Sequence, residues 1–486
     1  MTMRNPIPTR FPSVLKHAQA LIKSGNAKQA LQVLARTLET AQAFDPAHAT
    51  YLQTLLGLGM RKEALAALEL SLRLPTPTSD ACDALAYLAR QLDQHQQANA
   101  LYRKAVELSP TSARYWYNLA ASERNLGDLA HAASACGKAL ELDPDNLPAL
   151  LLRSEIQPAS PGRNHAQELI SRLNSARTDQ ARMFIGYALG KELHDLKHYG
   201  DAFQAFMVGA TARRRGLRYD VAEDEQKMAR IQRSFAQRGA TANDQSAIDR
   251  HVFIIGLPRS GTTLTERILS RAPGIRSNGE TNNFSTALLG SLSNTTDIFA
   301  ASSSVDSEAV ARAYDQLAAF DGYAGRIIEK LPFNYLYVGA IARAFPKSPI
   351  VWVRRDPLDN CFAMFRTLFG AAYPFSYDFE ELARYFAAFE RLMKHWTALW
   401  PERLVTVDYE ELVTRPKAVA RTLAERCGVP WSDQLLDIAT NPAPSMTASA
   451  SQVRQPIHAR STGIWRRYAT SLEPLEALLQ RHRSSA

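Results

Sequence analysis

A helical solenoid followed by a parallel-sheet α/β domain with a P-loop-like turn is the architecture that this 486-residue sequence predicts, an α plus α/β multidomain chain. Three observations carry it. Small and apolar residues recur every 34 positions between Gly25 and Pro144. Residues 252–269 pass from an apolar, β-branched run through a glycine-bounded turn into a helical pattern. Beyond them, short apolar runs alternate with helical stretches, as parallel strands joined by helices do.

The length suits two to three domains with ample core. Apolar content of 46% and charged content of 22% are ordinary for a globular chain. A net charge of +9 favours anionic ligands, although it is spread over 486 residues. No Lys/Arg run with interleaved aromatics marks a nucleic-acid footprint. Cys82, Cys136, Cys361 and Cys427 stand far apart, with no C-x-x-C pair. They suggest neither a metal site nor a disulfide framework, so a reducing compartment is expected. The first residues lack an apolar signal core, and no run of about twenty apolar residues could span a membrane. The expected location is the cytoplasm. Nothing in the composition speaks to oligomeric state.

The repeat comes first along the chain. Gly25, Gly59 and Gly127 lie on one 34-residue ladder, with Asp93 on the rung between. Ala30, Ala64, Ala98 and Ala132 form a second column, and Leu34, Leu68, Tyr102 and Cys136 a third. Ala105 with Ala139, and Pro110 with Pro144, repeat at the same interval. Small residues let paired helices approach, and glycine supplies a left-handed residue between them. The pattern resembles the tetratricopeptide repeat, a helix–turn–helix unit of this period, best developed at 79–112 and 113–146, with Trp116 and Leu119 as large anchors of a first helix. Pro158, Pro161 and Gly162 interrupt it. One further pair is expected over 183–216, with Ala202 and Phe206 in the motif's Ala and Phe positions. The array is therefore placed at 11–216, either as scaffold alone or as a concave surface that grips a peptide or partner chain. Residues 217–249 read as a connecting helix and linker, and 250–486 as the α/β domain.

In that domain Val252–Ile255 reads as a buried parallel strand. Gly256 to Gly261 is a tight turn, and Leu264, Ile268 and Leu269 take helical spacing. A strand, a glycine-bounded loop and a helix start together make an anion cradle of backbone N–H groups. Gly256-x4-Gly261 has P-loop spacing, but Thr262 stands where that motif has Lys, and Arg259 is the strong cation inside the loop. Strands are further expected at 326–329, 350–353 and 404–407, with helices over 334–345 and 358–369. Lys330, Arg355 and Tyr409 then follow strand carboxyl ends, where such sheets bind ligands.

With these residues in view, 252–269 resembles the 5′-phosphosulfate loop of the sulfotransferases that use 3′-phosphoadenosine-5′-phosphosulfate (PAPS). Residues 350–366 resemble that family's 3′-phosphate-binding segment. Asn278-Gly279-Glu280, Glu329-Lys330-Leu331-Pro332, Tyr409-Glu410-Glu411-Leu412-Val413 and Ser449-Ala450-Ser451-Gln452-Val453-Arg454 match further motifs in the family's order. The likeness is to a sulfotransferase domain joined to tetratricopeptide repeats, related to the tyrosylprotein sulfotransferases. It implies transfer of a sulfuryl group from PAPS, with its 3′,5′-bisphosphate (PAP) as product and no metal, to a hydroxyl or amine of an acceptor that the repeats could present as a peptide or protein. By the same resemblance Arg259, Ser260, Gly261, Thr262 and Thr263 hold the 5′-phosphosulfate. Glu280 is the general base. Lys330 and Ser449 steady charge at the bridging oxygen and sulfuryl group. Arg355 binds the 3′-phosphate and Tyr409 contacts the nucleotide, while Ser451, Gln452, Val453 and Arg454 close over the donor.

Three positions depart from the family. Ala363 stands where a Ser is usual, Ile464 where a basic residue precedes Trp465, and Thr281-Asn282-Asn283 lacks the Arg-rich segment with which tyrosylprotein enzymes hold acidic peptides. Arg366, Arg454, Arg466 and Arg467 are the nearby basic residues able to compensate the first two. Two other readings stay open at this point: a P-loop kinase or NTPase, against which Thr262 and the lack of an evident magnesium-holding Asp argue, and a non-catalytic repeat scaffold with a decayed nucleotide-binding domain.

Overall fold

The computed structural model describes residues 11–76, 78–238, 249–292, 297–370, 372–441 and 455–484. These fall into two compact units, the first ending at residue 157 and the second starting at 158.

The first unit is a run of helices joined by short turns: Pro12–Lys23, Ala27–Leu38, Pro46–Gly57, Arg61–Leu72, Ser79–Gln91, His95–Leu108, Ala113–Leu126, Leu129–Leu142 and Leu147–Ile156. The 34-residue ladder explains its geometry. Gly25, Gly59 and Gly127 sit between paired helices with φ of 81°, 72° and 90°. Asp93, on the rung without glycine, adopts the same left-handed conformation at φ 60°. Aspartate tolerates that region better than most residues, at a cost of roughly 1 kcal/mol. The alanine column is the contact between the paired helices: Ala30, Ala64, Ala98 and Ala132 are each at most 1% exposed. Leu34, Leu68, Tyr102 and Cys136 are buried beside them.

The second unit begins with helices Ala166–Ser175, Asp179–Asp195, Tyr199–Arg215 and Val221–Ser234. The pair expected over 183–216 forms, with Lys197 at φ 67° in its turn. Its helices cross closely because a Cβ on Gly186 would stand 2.8 Å from the backbone of Ala205 and Gly209. The pair packs onto the α/β domain. Tyr187 donates its hydroxyl to the carbonyl of Phe365 at 2.9 Å, Phe203 stacks on Phe365, and Arg214 forks onto Glu381 at 2.7 and 2.6 Å. After the helix Val221–Ser234, Phe235 packs edge-on to Trp396, and Glu225 on that helix binds Arg384. Periodicity reports that a helix pair forms; which surface buries its outer face depends on residues such as Tyr187 and Phe203, which lie off the repeat.

The sheet has five parallel strands in the order β2-β3-β1-β4-β5: β1 His251–Ile255, β2 Ile275–Ser277, β3 Arg326–Lys330, β4 Ile350–Arg354 and β5 Leu404–Asp408. Strand β2 had no sequence signal, since it has three residues and is only half-buried. Val252, Ile254, Ile328, Val351, Val353, Val405 and Val407 pack on one face against Ile268, Leu269 and residues 420–429. On the other, Phe253 meets Tyr314 and Phe345 with ring centroids 5.3 and 5.4 Å apart. The helix expected over 334–345 opens as a 3-10 turn, Pro332–Tyr337, before Val338–Ala344. The helix after β4 runs Pro357–Phe365. Among the described residues no helix is long and apolar enough to cross a membrane.

Candidate active site

In the order β2-β3-β1-β4-β5 the chain leaves β1 towards β2 on one side and leaves β4 towards β5 on the other. The crevice that this opens at the strands' carboxyl ends is where an open α/β sheet binds ligands. The cradle occupies it. Gly256 has φ 153°, and a Cβ there would stand 2.6 Å from the carbonyl of Val353. Gly261 has φ 110°, and its Cβ would meet the Tyr409 ring at 2.5 Å. Both glycines are thus fixed by close neighbours as well as by conformation. Arg259 holds φ 65°, a conformation that costs a non-glycine residue about 1–2 kcal/mol and has to be sustained by its surroundings. Arg355 supplies one brace, donating from Nη1 to the Arg259 carbonyl at 3.0 Å. Asn360 supplies another, donating from Nδ2 to the Pro258 carbonyl at 2.8 Å. Ser260 is fully buried and its hydroxyl has no hydrogen-bond partner among the described residues. Thr262 and Thr263 open the helix Thr262–Leu269, adding hydroxyls and free N–H groups at its positive end.

Arg355 is almost wholly enclosed. It bonds the Ser461 carbonyl, lies 3.8 Å from Asp359, and has its guanidinium 4.8 Å from the centre of the Tyr409 ring. Its Nε is buried without a partner among the described residues. Asp359 in turn accepts from the backbone N–H groups of Gly463 and Trp465, fastening the C-terminal segment beside the cradle. Asn360 and Asp359 were missed in the sequence. The Asp356-Pro357 helix start marks their location, but not their targets about a hundred residues away.

A second cluster forms at the ends of β2 and β3. Asn278 donates its N–H to Ile328 at 2.8 Å, and Lys330 donates its N–H to the Gly279 carbonyl at 3.0 Å. Gly279, at φ 67°, turns the chain so that Glu280 meets Lys330, Oε1 to Nζ, at 2.5 Å. Glu266, on the cradle helix, lies 3.5 Å from the same ammonium, and Ser277 donates to Glu266 at 2.5 Å. Lys330 is 1% exposed, while the Glu280 side chain is 39% exposed. Because Lys330 pairs with Ile254 across β3 and β1, neighbouring strands place this cluster next to the cradle. Glu266 links the two. Of the predicted site residues, Arg259 to Thr263, Arg355 and Tyr409 converge at the cradle, and Glu280 with Lys330 beside it. Ser449, Ser451, Gln452, Val453 and Arg454 lie outside the described residues.

Behind the cluster sits Glu329, fully buried. It accepts from Asn334 at 2.8 Å and from Thr281 at 3.1 Å. Burial pushes its pKa up to about 7, against the downward pull of hydrogen bonds, that of Asn334 foremost. The native state therefore keeps this proton between its ordinary pKa of 4.5 and about 7, where the unfolded chain loses it. Stability falls as pH rises through that window and levels off above it. Glu329→Gln is expected to gain stability relative to the parent across the same window, by roughly 3 kcal/mol in all. Urea unfolding of both proteins from pH 4.5 to 8 measures it, and a difference independent of pH would show that the carboxyl does not titrate there.

Among the described residues two cavities border this crevice. The larger, about 750 Å³, lies between Trp352, Phe386 and Lys394 and shares Leu257, Arg355 and Asn360 with the groups around the cradle. The smaller, about 70 Å³, is lined by Arg259, Gly261, Thr262, Thr263, Arg355 and Tyr409 together with Gln455 to His458. Anion-binding groups converge on the second.

The sequence pattern of the Sulfotransferase family matches residues 251–433, and that of the tetratricopeptide repeat matches 79–112 and 113–146. An uncharacterized protein of Aquifex aeolicus (strain VF5) is 28% identical over 404 residues, 79% of this chain and 52% of that one. The chain thus spans about half of that relative's length. A Caenorhabditis briggsae protein named "Putative protein-tyrosine sulfotransferase" is 25% identical over 233 residues, 45% of this chain and 82% of its own. The sulfotransferase domain from the curacin biosynthetic pathway aligns with 49% of this chain and 98% of itself at 18% identity. Its TM-score is 0.36. Residues 251–433 are a sulfotransferase-family domain, and the chain carries it behind tetratricopeptide repeats.

Proposed function

We propose that this protein is a PAPS-dependent sulfotransferase whose acceptor is a hydroxyl or amine, offered on a peptide or protein segment held by the repeats. The observation that carries the reading is the Glu280–Lys330 pair beside the cradle in a sulfotransferase-family domain. The chemistry of the cradle fits the donor. Ser260 Oγ and Arg355 Nε are buried polar atoms without partners among the described residues, and a buried polar group is costly until it is bonded. Adenosine phosphosulfate with a second phosphate supplies anionic oxygens to such groups and brings the sulfuryl group to be transferred.

The chain's own residues then divide the work. The loop N–H groups, Ser260, Thr262 and Thr263 hold the 5′ end, and Arg259 and Arg355 neutralise phosphate charge by charge-assisted bonds. Lys330 stabilises the charge that grows on the leaving oxygen, in the manner of other in-line group transfers. Glu280 receives the acceptor's proton. Until the donor arrives, Lys330 occupies Glu280. Drawing the ammonium towards the leaving oxygen frees the carboxylate as the base is needed, and Glu266 retains a partner for Lys330 in both states. At about 70 Å³ the cavity is small, so nucleotide entry displaces its outer wall, Gln455 to His458.

Arg259→Ala and Arg355→Ala are each expected to weaken binding of adenosine 3′,5′-bisphosphate by about 1.5–3 kcal/mol, the range for a hydrogen bond to a charged group. Arg355→Ala should show the larger loss, because it also releases the Arg259 carbonyl. Calorimetric titration without metal measures this, with ATP and magnesium as the comparison. Unchanged affinity in both variants, or preference for ATP with magnesium, overturns the donor assignment. Incubation with PAPS and candidate peptides, followed by mass spectrometry for the gain of one SO3, tests the acceptor class.

A further inference from the structure

Among the described residues that line the larger cavity, about 750 Å³, are neither Glu280 nor Lys330, nor the loop residues 259–263. It lies against the sheet face opposite the valine core. Val351, Val353, Val405 and Val407 belong to that core, so the alternation of a strand sends Trp352 to the other face. There Trp352 meets Phe389 of the helix Phe379–Leu399 edge-on, with ring centroids 6.4 Å apart. Phe386, one turn earlier on the same helix, and Leu257 complete an apolar floor. A cavity of several hundred cubic ångströms with an aromatic floor and a few polar groups is how proteins hold organic ligands.

The polar groups around that floor are mostly bonded to one another or to backbone. Arg354 forks onto Asp408, and Arg483 onto Glu390 at 2.6 and 3.0 Å. Asp356 accepts the N–H of Asp359 at 2.9 Å, and Glu410 accepts that of Asp356 at 3.1 Å. Asn360 and Thr397 donate to the carbonyls of Pro258 and Met393. Each lining carboxylate thus holds a donor. The Lys394 ammonium has neither a hydrogen bond nor a carboxylate partner among the described residues. The indole Nε1 of Trp352 and the Nε of Arg355 are buried and likewise without partners among them. All three groups left over are donors, and two of them belong to cations. An apolar floor beside unpaired donors selects a ligand with an apolar body and an anionic head.

We infer that this cavity is a second ligand site, built for an amphipathic organic anion whose flat apolar body lies on Trp352, Phe386 and Phe389 and whose acidic head meets Lys394. The site is separate from the donor cavity, and the inference does not depend on the donor reading. Lys394 supplies the counter-charge, since Arg354 and Arg483 are already neutralised by Asp408 and Glu390.

The experiment titrates the full chain by calorimetry with naphthalenesulfonate and with naphthylmethylammonium, which present the same ring with opposite charge. The parent is expected to bind one sulfonate, at least about tenfold tighter than the ammonium compound, and to keep it in saturating adenosine 3′,5′-bisphosphate. Lys394→Ala should weaken the sulfonate by about two- to fivefold, the scale of one exposed charge pair, and Lys394→Glu should invert the preference. Ala398→Trp, on the same wall, fills the cavity without altering its charge and should weaken both compounds at least about tenfold. Lys394 and Ala398 are both exposed, so every variant should unfold at the parent's temperature, which separates lost binding from lost fold. A parent that binds neither compound at millimolar concentration, or that prefers the ammonium compound, overturns the proposal. So do variants at Lys394 and Ala398 that bind the sulfonate as the parent does, which would put it elsewhere. Displacement of the sulfonate by the bisphosphate would put it in the donor cavity and overturns the proposal too, while leaving the donor reading standing.

Discussion

Glu280→Gln is expected to lower turnover by about two to four powers of ten, the range for a general base, with affinity for adenosine 3′,5′-bisphosphate within about a factor of two of the parent. The substitution is close to isosteric, so the turn at Gly279 and the bond from the Lys330 N–H to its carbonyl are undisturbed. The glutamine carbonyl still accepts from Lys330, and Glu266, 3.5 Å from the ammonium, still balances its charge. What disappears is the basicity of the carboxylate, together with one of the two negative charges beside Lys330. A base contributes when the acceptor's proton leaves and not when the donor binds, so kcat should carry the effect. The Glu280 side chain is open enough to reach an acceptor, unlike buried Lys330. Single-turnover transfer to an identified acceptor measures the rate. Normal turnover would place the base elsewhere and show that Asn278-Gly279-Glu280 does not match the family motif in function. A markedly tighter nucleotide would mean that Glu280 competes with the donor for Lys330.

That cluster shows where sequence reading stops. The cradle was legible because its parts are contiguous: strand, glycines and helix lie within eighteen residues, and Gly256 and Gly261 have backbone reasons to be glycine. The helical ladder was legible because one register repeats, to the extent that Asp93 adopts the conformation of the missing glycine. The Glu280–Lys330 pair is different. Motif order suggested both residues, but their contact depends on β2 lying beside β3, and a half-buried strand of three residues leaves no periodic trace. Asn360 and Asp359 act through contacts across the fold, and no local pattern distinguishes them from other residues of a helix that follows a strand. Glu329 sits one position before a motif lysine, yet only the packing around it reveals a fully buried carboxyl.

Lys330→Ala should differ from Glu280→Gln in nucleotide binding and in stability. Turnover is expected to fall by about two to three powers of ten, the usual loss for a group that stabilises developing charge, and the bisphosphate should bind more weakly as well. The protein should also be less stable. Lys330 is 1% exposed and is shared by Glu280 and Glu266; removing it leaves two carboxylates facing each other without a cation, and breaking a buried pair costs about 3–5 kcal/mol. Because Glu280 is part-exposed, the loss should fall at or below the low end of that range. Adding Glu280→Gln to Lys330→Ala removes one of the two charges, and the double variant should be more stable than Lys330→Ala alone at neutral pH, a coupling that a double-mutant cycle reads directly. Additive losses would instead mean that Lys330 supports the fold through packing, and its part in charge stabilisation would then have to rest on the nucleotide measurements alone.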